Sequence, residues 1–163
     1  MSDGGYHKLE IYTQAHELAV RIHMMTLTLP KLEAFEVGAQ IRRSSKRVSA
    51  SIVEGYAQRK HKALFLSYLY RALGSADETQ EHLRFLIETG SLPNQKDGQT
   101  LLTAAEELSR RLARFIQGTE RGHESRPLLM VDSELVPADT ELPSVTSDIR
   151  YRTSRTKSLK AKG

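Results

Sequence analysis

The sequence predicts an all-α protein, an antiparallel up-down four-helix bundle, and three observations carry that prediction. Apolar residues recur at spacings of three and four through four consecutive segments of residues 6–123. No segment shows the period-two alternation of a strand. The breaks between segments are short, which sets successive helices side by side and antiparallel.

In the first segment Leu9, Tyr12, Ala15, Leu18, Ala19, Ile22, Met25 and Leu29 line one helix face, and Pro30 ends it. The second runs from about Glu36 to Tyr56, with Val37, Ile41, Ser44, Val48 and Ile52 on one side and Gly55 as its expected stop. The third, from about His61 to Glu88, holds Leu64, Phe65, Leu66, Tyr68, Leu69, Tyr70, Leu73, Leu83, Leu86 and Ile87, with Gly90 as a C-cap. The fourth covers about Asn94 to Gln117, through Leu101, Leu102, Ala105, Leu108, Leu112, Phe115 and Ile116, and Gly118 stands just beyond. The third helix is apolar over too wide an arc for one side of a small bundle. Either another subunit covers the surplus, or this helix is the innermost of a monomer.

The chain has 163 residues, enough for one domain. Its 24 Lys and Arg against 20 Asp and Glu leave a formal net charge of +4, too small by itself to name a partner. Position is more telling. Residues 1–123 carry a net +3, residues 124–148 a net −5 and residues 149–163 a net +6. The last forty residues also hold Pro127, Pro137 and Pro143 without helical periodicity. They offer too little apolar surface to offset the entropy of ordering them. The expected organisation is a flexible start over 1–5, the bundle over 6–123, and a disordered tail over 124–163, acidic then basic. Met1-Ser2-Asp3-Gly4-Gly5 lacks a signal pattern, and no run approaches the ~20 apolar residues of a membrane span. The expectation is a soluble, cytoplasmic protein.

Within the bundle the positive charge is concentrated. Between Val37 and Lys62 stand seven bases (Arg42, Arg43, Lys46, Arg47, Arg59, Lys60 and Lys62) and one acid, Glu54. At about 100° per residue, Val37, Ile41, Val48 and Ile52 share an arc roughly 60° wide, and Arg42, Arg43, Lys46 and Arg47 take the opposite side. Ser44, Ser45, Ser49, Ala50 and Ser51 keep the intervening positions small, which admits either a neighbouring helix or a phosphate backbone. Two readings of the ridge stand. Its cations pair with Asp77, Glu78, Glu81 and Glu88 of the third helix as ordinary surface ion pairs, or they contact the phosphates of a polyanion.

Other chemistry finds no footing. Cysteine is absent, which excludes disulfides, thiolate metal sites and thiol nucleophiles. His16-Glu17-Leu18-Ala19-Val20 opens like a zinc-protease helix but lacks the second histidine. His16 and His23 share a face without a third ligand. No phosphate-cradling glycine loop and no nucleophile elbow occurs. Glu54 and Glu78 read as structural partners of Arg42, Arg43 or Arg47. Tyr56, Tyr68 and Tyr70 read as core or interface, with base stacking as the other use of such rings. No cofactor, metal or catalytic residue is expected.

The run Gln40-Ile41-Arg42-Arg43-Ser44-Ser45-Lys46-Arg47-Val48-Ser49-Ala50-Ser51-Ile52-Val53-Glu54-Gly55-Tyr56 resembles the signature of the 23S rRNA-intervening-sequence protein family, the bacterial four helix bundle proteins. That signature reads roughly Q-I-R-R-A, then S-I, then N-I-A-E-G. Leu9-Glu10-Ile11-Tyr12-Thr13-Gln14-Ala15 is similar to the family's opening, Leu29-Pro30 with Glu33 and Phe35 to its first turn, and Ala72-Leu73-Gly74-Ser75-Ala76-Asp77-Glu78 to its A-x-G-S-x-x-E stretch. The likeness covers about residues 6–118. Tyr12 stands where the family prefers Trp, Ser51 where it has Asn and Thr79 where Leu is common, while Arg47 adds charge. The resemblance implies a ring-shaped homo-oligomer, with pentamers expected, and establishes no catalytic activity. It also implies kinship in fold with accessory factors that contact a reverse transcriptase and nucleic acid. The functional expectation is non-catalytic binding of RNA or other nucleic acid through Arg42, Arg43, Lys46 and Arg47, helped by Arg59, Lys60 and Lys62. The alternative is a scaffold that docks an acidic protein partner such as a reverse transcriptase.

Overall fold

The computed structural model describes residues 5–124. The expectations set on residues 1–4 and 125–163 lie outside the described residues. A turn of 3-10 helix, Gly5–Lys8, leads into α1 (Glu10–Thr26). A short helix α2 (Lys31–Phe35) fills the link to α3 (Val37–Ala57), followed by α4 (Lys62–Glu88) and α5 (Gln95–Glu124). Among the described residues there is no strand.

Side-chain contacts fix the order of packing. Leu29 and Tyr56 meet opposite ends of the α1–α3 pair, against Gly38 and Gly5. Thr79 of α4 reaches Ser44 of α3, and Tyr68 and Phe65 lie against Gly55, so that pair is antiparallel. Lys62 with Glu120, Gln80 with Ser109 and Arg84 with Glu106 make α4 and α5 antiparallel as well. Arg111 of α5 bonds Glu10 of α1 and closes the circuit. The four long helices run up, down, up and down.

The core is the inner stripe of each helix. Ile22, Ile41, Ile52, Leu69, Leu83, Leu86, Leu108 and Leu112 are its largest fully buried side chains. Each such burial is worth about 1.5–3 kcal/mol relative to exposure. α4 packs against both α3 and α5, which accounts for most of its broad apolar arc. Its Leu64, Tyr70 and Phe85 are left about half exposed. More apolar surface lies elsewhere. Val20 and Met24 of α1, Leu27 at its C-terminal end, and Leu32 and Phe35 of α2 are 50–74% exposed.

Glycine and serine set the α3–α4 distance. An added Cβ on Gly55 would stand 2.9 Å from Tyr68 Cβ and 3.3 Å from Phe65 Cδ2. Gly55 therefore does not stop α3, which continues to Ala57; it lets α4 come close. Ser44, Ser45 and Ser51 are buried, so these small positions serve helix approach and not a phosphate backbone. The Thr79 hydroxyl lies 2.9 Å from Ser44 Oγ and 2.8 Å from the Ser75 carbonyl, while Ser44 donates to the Ile41 carbonyl at 3.3 Å. Buried hydroxyls so paired escape the cost of unmade hydrogen bonds.

The helix ends divide the glycines differently. Gly90 does cap α4: its φ is +68°, its N–H donates to the Ile87 carbonyl, and the Ser91 N–H donates to that of Leu86. This is the Schellman pair of bonds, and it needs a left-handed residue. Gly118, expected beyond the last helix, lies inside α5. The helix goes on because α4 holds it. Lys62 Nζ donates to the Glu120 carbonyl at 2.8 Å, and the Tyr70 hydroxyl donates to the Glu120 carboxylate at 2.7 Å.

The same substitution at two glycines is expected to act with opposite sign. Gly118→Ala faces open space in an exposed helix and should stabilise by about 0.5–1 kcal/mol. Gly55→Ala should cost about 1–2 kcal/mol, because overpacking outweighs the helix-propensity gain. Urea denaturation of both variants measures this. A second expectation concerns the α1–α5 seam, where Arg111 donates to Glu107 at 2.6 Å and lowers its carboxyl below the ordinary value of 4.5. A depressed carboxyl stabilises above its unfolded pKa and loses that contribution as pH falls through the native one. Glu107→Gln should therefore flatten the stability–pH curve below about pH 4.5 and shift it evenly above, as read from denaturation midpoints across pH.

Candidate nucleic-acid interface

α3 buries Gly38, Ile41, Ser44, Ser45, Val48, Ser51, Ile52 and Gly55, which leaves the opposite arc to solvent. Arg43, Lys46 and Arg47 stand on that arc and are exposed. Arg43 bonds the side-chain oxygen of Gln40 at 3.3 Å, a neutral partner on the same helix. None of the three forms an ion pair with a described residue.

The ion-pair reading of the ridge fails on geometry. Glu78 lies 3.6 Å from His82 of its own helix. Glu81 and Glu106 flank Arg84. Asp77 accepts from Gln80 and Ser109. Asp77, Glu78 and Glu81 thus face α5 or their own helix, and Glu88 and Glu54 are exposed with no ridge cation paired to either among the described residues. The expectation that Glu54 or Glu78 pairs with Arg42, Arg43 or Arg47 is corrected accordingly. Among the described residues no ion pair joins an acid of α1, α2 or α4 to Arg43, Lys46 or Arg47.

The seven candidate cations do not form one uniform set. Arg42 leaves the ridge: it is half-buried on the α2 side and donates to the Ala34 carbonyl at 3.2 Å, which ties α2 to α3. Lys62 is likewise half-buried and fastens the end of α5. Arg59 and Lys60 are exposed in the α3–α4 link. Arg59 has a more particular setting: its Cζ lies 4.2 Å from the centroid of the Tyr56 ring, and Nη1 donates to the Tyr56 carbonyl at 3.0 Å. Arg43, Lys46, Arg47, Arg59 and Lys60 remain available to an anion.

Of the three tyrosines, Tyr68 is half-buried under Gly55 with Arg71 over its ring, and Tyr70 is tied to Glu120. The hydrogen bond to the Glu120 carboxylate raises the Tyr70 phenol above its ordinary value. Sequence reasoning missed a cluster of rings at the end of the bundle where α3 stops. Tyr6 packs edge-on against Tyr12 at 4.9 Å and against Tyr56 at 6.3 Å, and Tyr12 stacks on His16 at 6.0 Å. The signal lay in a segment too short to show periodicity. An open depression of about 460 Å³ at the other end is lined by Val20, Met24, Met25, Leu92, Pro93 and Leu101, with Arg21 and Asp97 as its titratable groups. Among the described residues no group of three metal-ligating side chains occurs, and no helix is long and apolar enough to cross a membrane.

The model of the 23S rRNA-intervening sequence protein family matches residues 7–114 of the chain. Among solved structures, one from Bacteroides thetaiotaomicron, described as a protein with unknown function from the S23 ribosomal protein family, superimposes with a TM-score of 0.58 at 26% identity. The superposition covers 66% of this chain and 98% of that one. No curated protein matches the sequence significantly.

The sorting of the lysines is directly measurable. With a limiting amine-reactive ester, Lys46 and Lys60 are expected to label several-fold faster than Lys62, whose ammonium is engaged by the Glu120 carbonyl. Peptide mass spectrometry of the intact protein after brief labelling reads the three rates.

Proposed function

The chain belongs to the 23S rRNA-intervening sequence protein family, and from that premise we propose that it is a non-catalytic, self-associating bundle that binds RNA or other nucleic acid through the solvent face of α3. One observation carries the reading. Arg43, Lys46 and Arg47 are exposed together on a single helix and form no ion pair with a described residue, although other charged side chains of the bundle are paired. A cluster of unneutralised cations on a rigid element is what phosphates require, and release of their counterions supplies the affinity. Phosphate contacts position a nucleic acid without reading its bases, so binding through the ridge is indifferent to sequence.

Self-association enters on separate grounds. Val20, Met24, Leu27, Leu32 and Phe35 are large apolar side chains left half or more exposed, and apolar surface of this kind is what proteins cover with a partner. A second copy of the chain is the occupant we propose. A ring of copies, with the family's expected five, repeats the α3 ridge and multiplies its field.

The test is a salt-titrated gel shift on the full chain, with Arg43, Lys46 and Arg47 all changed to Glu and Arg42 kept for its structural bond. At 100 mM salt the variant is expected to lose at least tenfold in RNA affinity, and the salt slope should fall by about 2–3. Unchanged affinity in a variant of unchanged size by light scattering overturns the ridge. Negligible RNA binding by the parent protein, with stoichiometric recovery of one acidic protein, would replace the reading with a protein-docking one.

A further inference from the structure

Arg59 is an exposed cation held by two contacts, an aromatic face and a backbone carbonyl. Its guanidinium sits over the Tyr56 ring at 4.2 Å and is held by the Tyr56 carbonyl at 3.0 Å, so both anchors belong to one residue and neither is a carboxylate. The Tyr56 ring is itself fixed from behind. Any side chain at Gly5 would collide with the Tyr56 hydroxyl, and Tyr6 packs against the ring at 68°. Tyr6 in turn bears on His7 and Tyr12, and Tyr12 on His16, which makes a continuous cluster of rings. His7 and His16 are exposed at its edge, and Lys8 and Lys60 are exposed beside it in sequence.

A phosphate contact asks only for charge and reach, and a free lysine or arginine meets it. A planar cation fixed against an aromatic face is organised for something else, since guanidinium planes and aromatic rings are the surfaces on which unpaired bases stack. Ordering this side chain before any ligand arrives lowers the entropy lost on binding.

We propose that Arg59, seated on Tyr56, is a stacking platform for one unpaired base of a single-stranded nucleic acid whose phosphates are held by Lys60 and the α3 ridge. The proposal rests on the nucleic-acid reading above and adds to it a ligand class: strands with exposed bases, in preference to uninterrupted duplex, whose base faces are covered. The platform accepts any base, because every base has a π face.

The experiment measures binding of the full chain to a fluorescent ten-nucleotide oligouridylate and to an abasic strand of equal length and charge. The parent protein is expected to bind the base-bearing strand about fivefold or more tightly. Arg59→Lys, which keeps the charge and loses the plane, should bring that ratio close to one without weakening the abasic strand. Lys60→Ala should weaken both strands alike. Equal binding of the two strands by the parent, with salt dependence intact, overturns the platform and leaves the ridge standing. An Arg59→Lys variant that weakens both strands equally reduces Arg59 to a phosphate contact and also overturns it. Failure of the parent to bind either strand defeats the ridge and the platform together.

Discussion

Close approach of α3 and α4 is the constraint on which the rest of the bundle depends. It is made by side chains that are missing or small: Gly55 under Tyr68, and Ser44, Ser51 and Ser75 buried along the seam. Close packing lets dispersion and burial act over the full length of two long helices. It also fixes the rotation of α3 about its own axis, because only the stripe of small residues can face α4. That rotation turns Arg43, Lys46 and Arg47 outward. The candidate interface is therefore a consequence of packing on the opposite side of the same helix.

The seam bears on the departures from the family pattern. Where the signature has Ala, this chain has Ser44, and where Leu is common it has Thr79. The two hydroxyls stand 2.9 Å apart in the buried seam. Each also has a carbonyl of its own helix within hydrogen-bond reach, Ile41 for Ser44 and Ser75 for Thr79, so both are satisfied and the contact between them adds a link across the seam. Tyr12, in place of Trp, still packs against the core and supports the ring cluster below it.

The electrostatic organisation follows the same division between inside and outside. Acidic and basic groups that lie between helices are used there. Arg111 joins Glu10 and Glu107 across α1 and α5, and Arg84 meets Glu106 across α4 and α5. Two candidate cations are drawn into the scaffold in the same way, Arg42 by the Ala34 carbonyl and Lys62 by that of Glu120. Arg43, Lys46 and Arg47 on the solvent face of α3, and Arg59 and Lys60 in the following link, form no ion pair with a described residue. Exposed ion pairs contribute little to stability, so leaving these cations unpaired costs the fold almost nothing.

Helical periodicity is a local property, and the sequence determined what is local: four long helices, their order, the core stripes, the Gly90 cap and the family. It also located the positive charge on the helix that became α3. The 3-10 turn and α2 escaped it because one turn is too short to display a period. Gly55 and Gly118 were read as stops because glycine looks alike in sequence whether it ends a helix, admits a neighbour or simply sits in one. Only tertiary structure decided among these uses, since the answer lies in atoms contributed by another helix: Tyr68 for Gly55, and Lys62 and Tyr70 for the extension past Gly118. The same holds for the cations. Their number and type are written in the chain, but whether each meets a carbonyl, an aromatic face or solvent depends on which groups the fold brings within about 3–4 Å, the range over which hydrogen bonds and ion pairs act.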